Sequence, residues 1–261
     1  ATVSLAAWAW MHIFYGNPRT VLFTSVFFAA MTFSMLAKGP VGPAVVIALV
    51  FFSWILTPAG NRPPFARMLL LAAATLAGFA IYLGWLIPAN AASGGEIFKV
   101  GIAKHIFGRA VNVMEGHGGS GWAGYAAALF YYVPVILIGF FPWTAFVPAA
   151  FAAFGKGRLG DAKARTFLWS WLIPTFLMFS FAATKLPHYV FPLFPALALM
   201  TGAVVAMPKD DIRLPANRFW FETGFWLNAA MTVAVIAALV AAPVFFPEQM
   251  SWPRGLAHGG F

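Results

Sequence analysis

Apolar residues run through this sequence in long unbroken blocks, with neither the alternation of a strand nor the single apolar stripe of a surface helix. The blocks cover residues 1–15, 20–37, 40–57, 67–90, 125–151, 166–183, 187–207 and 220–246. Most approach the roughly 20 residues that a helix needs to cross a hydrocarbon layer about 30 Å thick. Inside such a layer only helices or closed barrels satisfy every backbone group, and continuous runs favour helices. The expected fold is therefore all-α: a polytopic transmembrane helical bundle of about eight spans, with residues 1–261 forming a single transmembrane domain. The fifth block exceeds one straight crossing, so its prolines, Pro134 and Pro142, predict a tilt or a kink. Two shorter crossings are the alternative there.

One stretch breaks the pattern. Residues 91–124 form a long polar loop carrying Glu96, Lys99, Lys104, His105, Arg109, Asn112, Glu115 and His117 before the run GHGGSGWAG. The segment from Gly95 to Val113 predicts an interfacial helix with Ile97, Val100, Ile102, Ile106 and Phe107 toward the apolar side. These positions do not make one clean stripe at α-helical spacing. The glycine run reads as a hinge, because no Gly-Lys-Ser/Thr follows and no strand precedes, as a phosphate-binding loop requires.

Composition agrees with a membrane protein: 62% of residues are apolar and 9% charged. The net charge of +9 would suit nucleic acid in a soluble domain. Here the cations sit in loops, and counting them in alternate loops gives ten on one side and six on the other. The ten-cation side is read as cytoplasmic by the positive-inside rule, and no nucleic-acid partner is expected. The chain has no cysteine, which excludes disulfides, a thiolate metal site and a cysteine nucleophile. It opens without a basic leader segment and is expected to be a piece of a longer protein.

The opposite side, which owns the long loop, carries the candidate chemistry. Lys38, Lys104, Arg109 and Lys185 lie at helix ends or on the loop, where cations suit an anionic lipid headgroup, above all a phosphate. Each also suits a side chain that merely snorkels to the interface. His188 and Tyr189 follow Lys185 within one helical turn, and His105 and Arg109, four apart, share one face of a helix. His105 fits a metal ligand, a proton carrier, a donor to phosphate or a plain interfacial residue. His12 and His117 are read as structural. No paired carboxylates stand on this side, so the chain offers no evident catalytic acid or base.

Four stretches resemble a known family: AKGPVG at 37–42, KHIFGR at 104–109, FYYVPVILIGFFPWTAFVP at 130–148 and TKLPHYVFPLFPALAL at 184–199. They look like the bacterial membrane glycosyltransferases of the aminoarabinose transferase and protein mannosyltransferase type (glycosyltransferase family 39, RgtA/B/C/D-like, GT-C fold). The resemblance implies an enzyme that takes a sugar from a polyprenyl-phosphate donor at the periplasmic face of the bacterial inner membrane. The acceptor would be lipid A, another glycan or a protein. By the same resemblance Arg109 matches a phosphate-holding position, His105 matches a histidine that helps hold a divalent cation in some members, and Lys185 and Tyr189 border the active cavity. The family's catalytic Asp lies in the first external loop after the first span, a region with no counterpart here. No catalytic residue is therefore expected in this chain, which reads as a central and C-terminal piece, inactive by itself. A transporter or flippase for a lipid-linked or anionic solute is the alternative, and a membrane scaffold a third reading. The substrate-binding set expected from sequence is Lys38, Lys104, His105, Arg109, Lys185, His188 and Tyr189.

Overall fold

The computed structural model describes residues 1–15, 19–112, 121–157, 159–207 and 215–245. Proline and glycine set most of the helix boundaries. Helix α1 (Thr2–Phe14) leads to α2 (Thr20–Lys38), which ends at Gly39 with φ +65°, a left-handed value that favours glycine. Pro40 then opens α3 (Val41–Leu56), and Pro64 opens α4 (Phe65–Ala92). A π-helix (Ile97–Gly108) follows, continued by the short α5 (Arg109–Val111). After it come α6 (Gly121–Ala128), α7 (Tyr132–Gly139), a 3-10 turn (Trp143–Phe146) and α8 (Val147–Gly155). The Asp161 carboxylate caps α9 (Ala162–Phe181), accepting the Ala164 N–H at 2.7 Å. A 3-10 segment (Pro187–Leu193) runs straight into α10 (Phe194–Val205), and α11 (Pro215–Phe245) is the last described element.

Helix packing runs as a series: α4 lies on α2, α2 on α1, α3 joins both and meets α9, and α10 carries α8, which carries α11. The core between them holds Trp10, Ile13, Met31, Leu49, Trp171 and Met200, all fully buried. Hydroxyls inside the helices return to the carbonyl four residues back, as with Thr32 to Phe28 at 2.8 Å and Ser170 to Thr166 at 2.6 Å. Such bonds remove the cost of placing a hydroxyl in hydrocarbon. Gly224 of α11 rests on the Ala145 carbonyl, so close that a Cβ there would stand 1.5 Å from the oxygen.

Among the described residues four helical stretches, against the eight spans expected, are long and apolar enough to cross a membrane: Thr20–Lys38, Phe65–Ala92, Pro187–Val205 and Arg218–Pro243; several of the other apolar blocks form helices too short, or too broken, to qualify. The fifth block of the sequence is not one tilted rod. It breaks at Phe140–Pro142 into two helices bent by 114°. A pair bent this far is a broken span or a re-entrant segment, and its contacts tell where its two ends lie. Tyr132, near its start, accepts the Leu186 N–H from the loop after α9. Gly157, just past its end, and Gly160 accept bonds from the Arg165 guanidinium at the start of α9. The two ends of the pair therefore lie at opposite ends of α9.

Contacts gather the helix ends into two groups. Arg67 donates to Ile13 and Phe14 at the end of α1, and the Tyr15 hydroxyl donates to the Lys163 carbonyl at 3.1 Å. Those cation-rich ends form one face, and the C-termini of α2, α4 and α9 point to the other.

Candidate functional site

At that second face the helix ends surround a cavity of about 1040 Å³. Its walls come from the α2–α3 turn, the outer half of α4, the π-helix, the end of α9 and the start of the 3-10 segment. The walls are mostly apolar, with Tyr82, Trp85 and Leu86 of α4 among them.

The π-helix docks through a small separate core in which Ile97 and Ile102 pack on Met35, Tyr82 and Leu86. The cavity-facing residues of the loop are Ile97, Gly101, Ile102, His105, Ile106 and Ala110, with Phe107 at the edge. They recur at steps of four and five, the wide turn of an i→i+5 helix. This explains the ragged stripe seen at α-helical spacing. Val100 and Phe107, expected on the apolar side, are exposed. Gly39 lets the turn approach: a Cβ there would meet Ile106 Cδ1 at 3.0 Å.

Four of the residues singled out in the sequence meet in the cavity wall: Lys38, His105, His188 and Tyr189. The Lys38 ammonium stands 5.8 Å from the Tyr189 ring centre, and His188 meets Tyr189 edge-on at 5.0 Å. His105 Nδ1 is buried without a hydrogen-bond partner among the described residues. Lys104 is exposed and outside the lining. The Arg109 side chain lies outside what the structure describes, as do Glu115 and His117. No carboxylate among the described residues lines the cavity; Glu96 is exposed and pairs with Lys99 at 3.4 Å.

Lys185 differs from its sequence reading. It is 3% exposed, and its ammonium donates to the carbonyls of Phe179, Ser180 and Ala182 at the end of α9. The physical reason is the helix terminus: its last carbonyls have no backbone partner, and their partial negative charge attracts a cation. The chain turns extended at Ala182, so the lysine three residues on folds back over them.

Three residues that sequence reasoning gave no role complete the site. Tyr82 was legible only as a phenol inside a long apolar run. Thr184 donates to the Asn112 carbonyl at 2.8 Å, and Tyr132, fully buried, accepts from Leu186 at 3.3 Å. A metal would find too few ligands here: among the described residues no three His, Asp or Glu side chains come together, and the cavity lining offers only the imidazoles of His105 and His188.

The chain matches the crystal structure of ArnT from Cupriavidus metallidurans bound to undecaprenyl phosphate with a TM-score of 0.60 at 21% identity, over 93% of this chain and 40% of that one. It shares that protein's helical membrane fold. No family model matches the sequence. Similar proteins are undecaprenyl phosphate-alpha-4-amino-4-deoxy-L-arabinose arabinosyl transferases. The one from Pectobacterium carotovorum is 32% identical over 119 residues, which is 45% of this chain and 21% of that protein. That of Yersinia pestis is 32% identical over 145 residues, 53% of this chain and 26% of that protein. That of Edwardsiella ictaluri is 37% identical over 90 residues, 34% of this chain and 16% of that protein. The chain thus spans about a quarter or less of the length of these curated relatives, and the resemblance read at the motifs is to the same kind of transferase.

Proposed function

We propose that this chain is the carrier-binding part of a membrane glycosyltransferase that takes a sugar from undecaprenyl phosphate or a similar polyprenyl phosphate. The reaction would occur at the periplasmic face of the bacterial inner membrane, with lipid A, a glycan or a protein as acceptor. The observation that carries the reading is the cavity itself: apolar walls for an isoprenoid chain, and at its rim Lys38 with His105 and His188 for a phosphate. The named activity of the similar transferases supports it.

Transfer from a phosphate-linked donor needs its leaving phosphate stabilised and its acceptor activated. Lys38 supplies a point charge to the first task, and His105 and His188 donate to phosphate oxygens. The cavity's described lining offers no carboxylate for the second, and we assign acceptor activation to a carboxylate elsewhere in the protein. A divalent cation would find only His105 and His188 here, and no step is routed through one.

The test is binding of undecaprenyl phosphate to the protein in lipid nanodiscs, with undecaprenol, which lacks the phosphate, as control. Saturable binding of the phosphate form, at least tenfold tighter than the alcohol, is expected. Equal binding of the two, or none, would overturn the reading.

A further inference from the structure

The loop after α9 makes three long-range attachments within four residues. The Ala183 N–H donates to the Ala110 carbonyl at 3.0 Å, the Thr184 hydroxyl to the Asn112 carbonyl at 2.8 Å, and the Leu186 N–H to the Tyr132 hydroxyl at 3.3 Å. Between them Lys185 holds the end of α9 and lies 5.9 Å from the Tyr132 ring centre. The same short loop therefore grips the C-terminal end of the segment that carries His105, fixes itself on α9 and braces on the start of α7.

The other end of that segment is held by the packing of Ile97 and Ile102 on α2 and α4, and by the Ile97 and Phe98 N–H groups donating to Ser93 Oγ and Asn90 Oδ1. Anchors gathered at one end leave the far end of a helix free to pivot about them. Hydrogen bonds at Ala110 and Asn112 remove that freedom, since each fixes a direction as well as a distance. Thr184 is buried and Asn112 exposed, so losing the hydroxyl cuts the tether and leaves the Asn112 carbonyl to water.

We propose that Thr184 is a positioning residue: through Asn112 it sets where the π-helix lies over the cavity, and so where His105 and Ile106 meet the carrier. This role rests on the carrier-binding reading for its consequence, while the attachment itself is independent of it. Thr184→Val keeps shape and removes the donor; Thr184→Ser keeps the donor and removes a methyl.

Backbone hydrogen exchange, measured on the protein in nanodiscs, reads the attachment directly. In Thr184→Val, exchange of amides 97–112 is expected to speed up about tenfold or more while α1 and α2 stay unchanged, and Thr184→Ser should restore the slow rate. Binding of undecaprenyl phosphate should weaken in the valine variant and recover in the serine one. Unchanged exchange at 97–112 overturns the proposal, as does acceleration shared by every helix in both Thr184→Val and Thr184→Ala. Localised acceleration with unaltered binding overturns the positioning role. If the unmodified protein binds no undecaprenyl phosphate, the proposed function fails, and the attachment is then judged by exchange alone.

Discussion

The Lys38 ammonium lies 5.8 Å from the centre of the Tyr189 ring, joining two motifs that are 151 positions apart in the sequence. A cation over a ring face gains from the negative quadrupole there, about 0.5–1 kcal/mol at an exposed site. The contact aims a flexible side chain across the cavity mouth. Tyr189→Phe keeps a ring and should leave carrier affinity within twofold. Tyr189→Leu should weaken it by about two- to fivefold, the equivalent of that energy, in a binding titration with undecaprenyl phosphate.

The two lysines of the site should separate cleanly by assay. Lys38→Ala should weaken carrier binding by about 10- to 100-fold, the worth of a charge-assisted bond of about 1.5–3 kcal/mol, with the thermal midpoint unchanged. Lys185→Met removes the cation from the α9 terminus and leaves buried carbonyls unpaired, so it should cost about 1.5–3 kcal/mol of stability. Thermal unfolding followed by tryptophan fluorescence distinguishes the two; a stable Lys185→Met protein with lost binding would reverse the assignment.

Asp161 lies on the opposite face from the cavity and acts as a helix cap. Asp161→Ala should cost about 1 kcal/mol and leave carrier affinity alone, which makes it a control for damage that is merely structural.

Glycines give a sharper pair. Gly224→Ala drives a methyl into the Ala145 carbonyl, which is backbone and cannot swing away, so α11 should lose its seat at a cost of about 1–3 kcal/mol. Gly84→Ala, on α4 with nothing within 4 Å, should be neutral or stabilise by up to about 1 kcal/mol. Thermal midpoints of the two variants check both.

Much of this architecture was readable from the chain. Long apolar blocks, with Gly39, Pro40, Pro64 and Pro187 between them, mark helix limits that the structure keeps within a few residues. The fate of Lys185 was not readable. A lysine just past a helix looks the same in sequence whether it meets a phosphate or its own helix end, because the competing acceptors are backbone atoms with no letter of their own. The break after Phe140 was visible as proline but not as a 114° turn, since its angle depends on what α8 and α10 pack against. Thr184 and Tyr132 escaped notice because their partners come from distant segments.

The wide turn of the loop helix has a consequence for how this region tolerates change. Its face toward the cavity is written in spacing, at steps of four and five, more than in residue type. Exchanges at Phe98, Lys99 or Ala103, all turned outward, leave the phase intact. Deleting one residue between Phe98 and Gly101 would shift every later position by one step and rotate His105 and Ile106 off the cavity, although each remains in the chain. Length, not composition, is the quantity this loop has to hold constant.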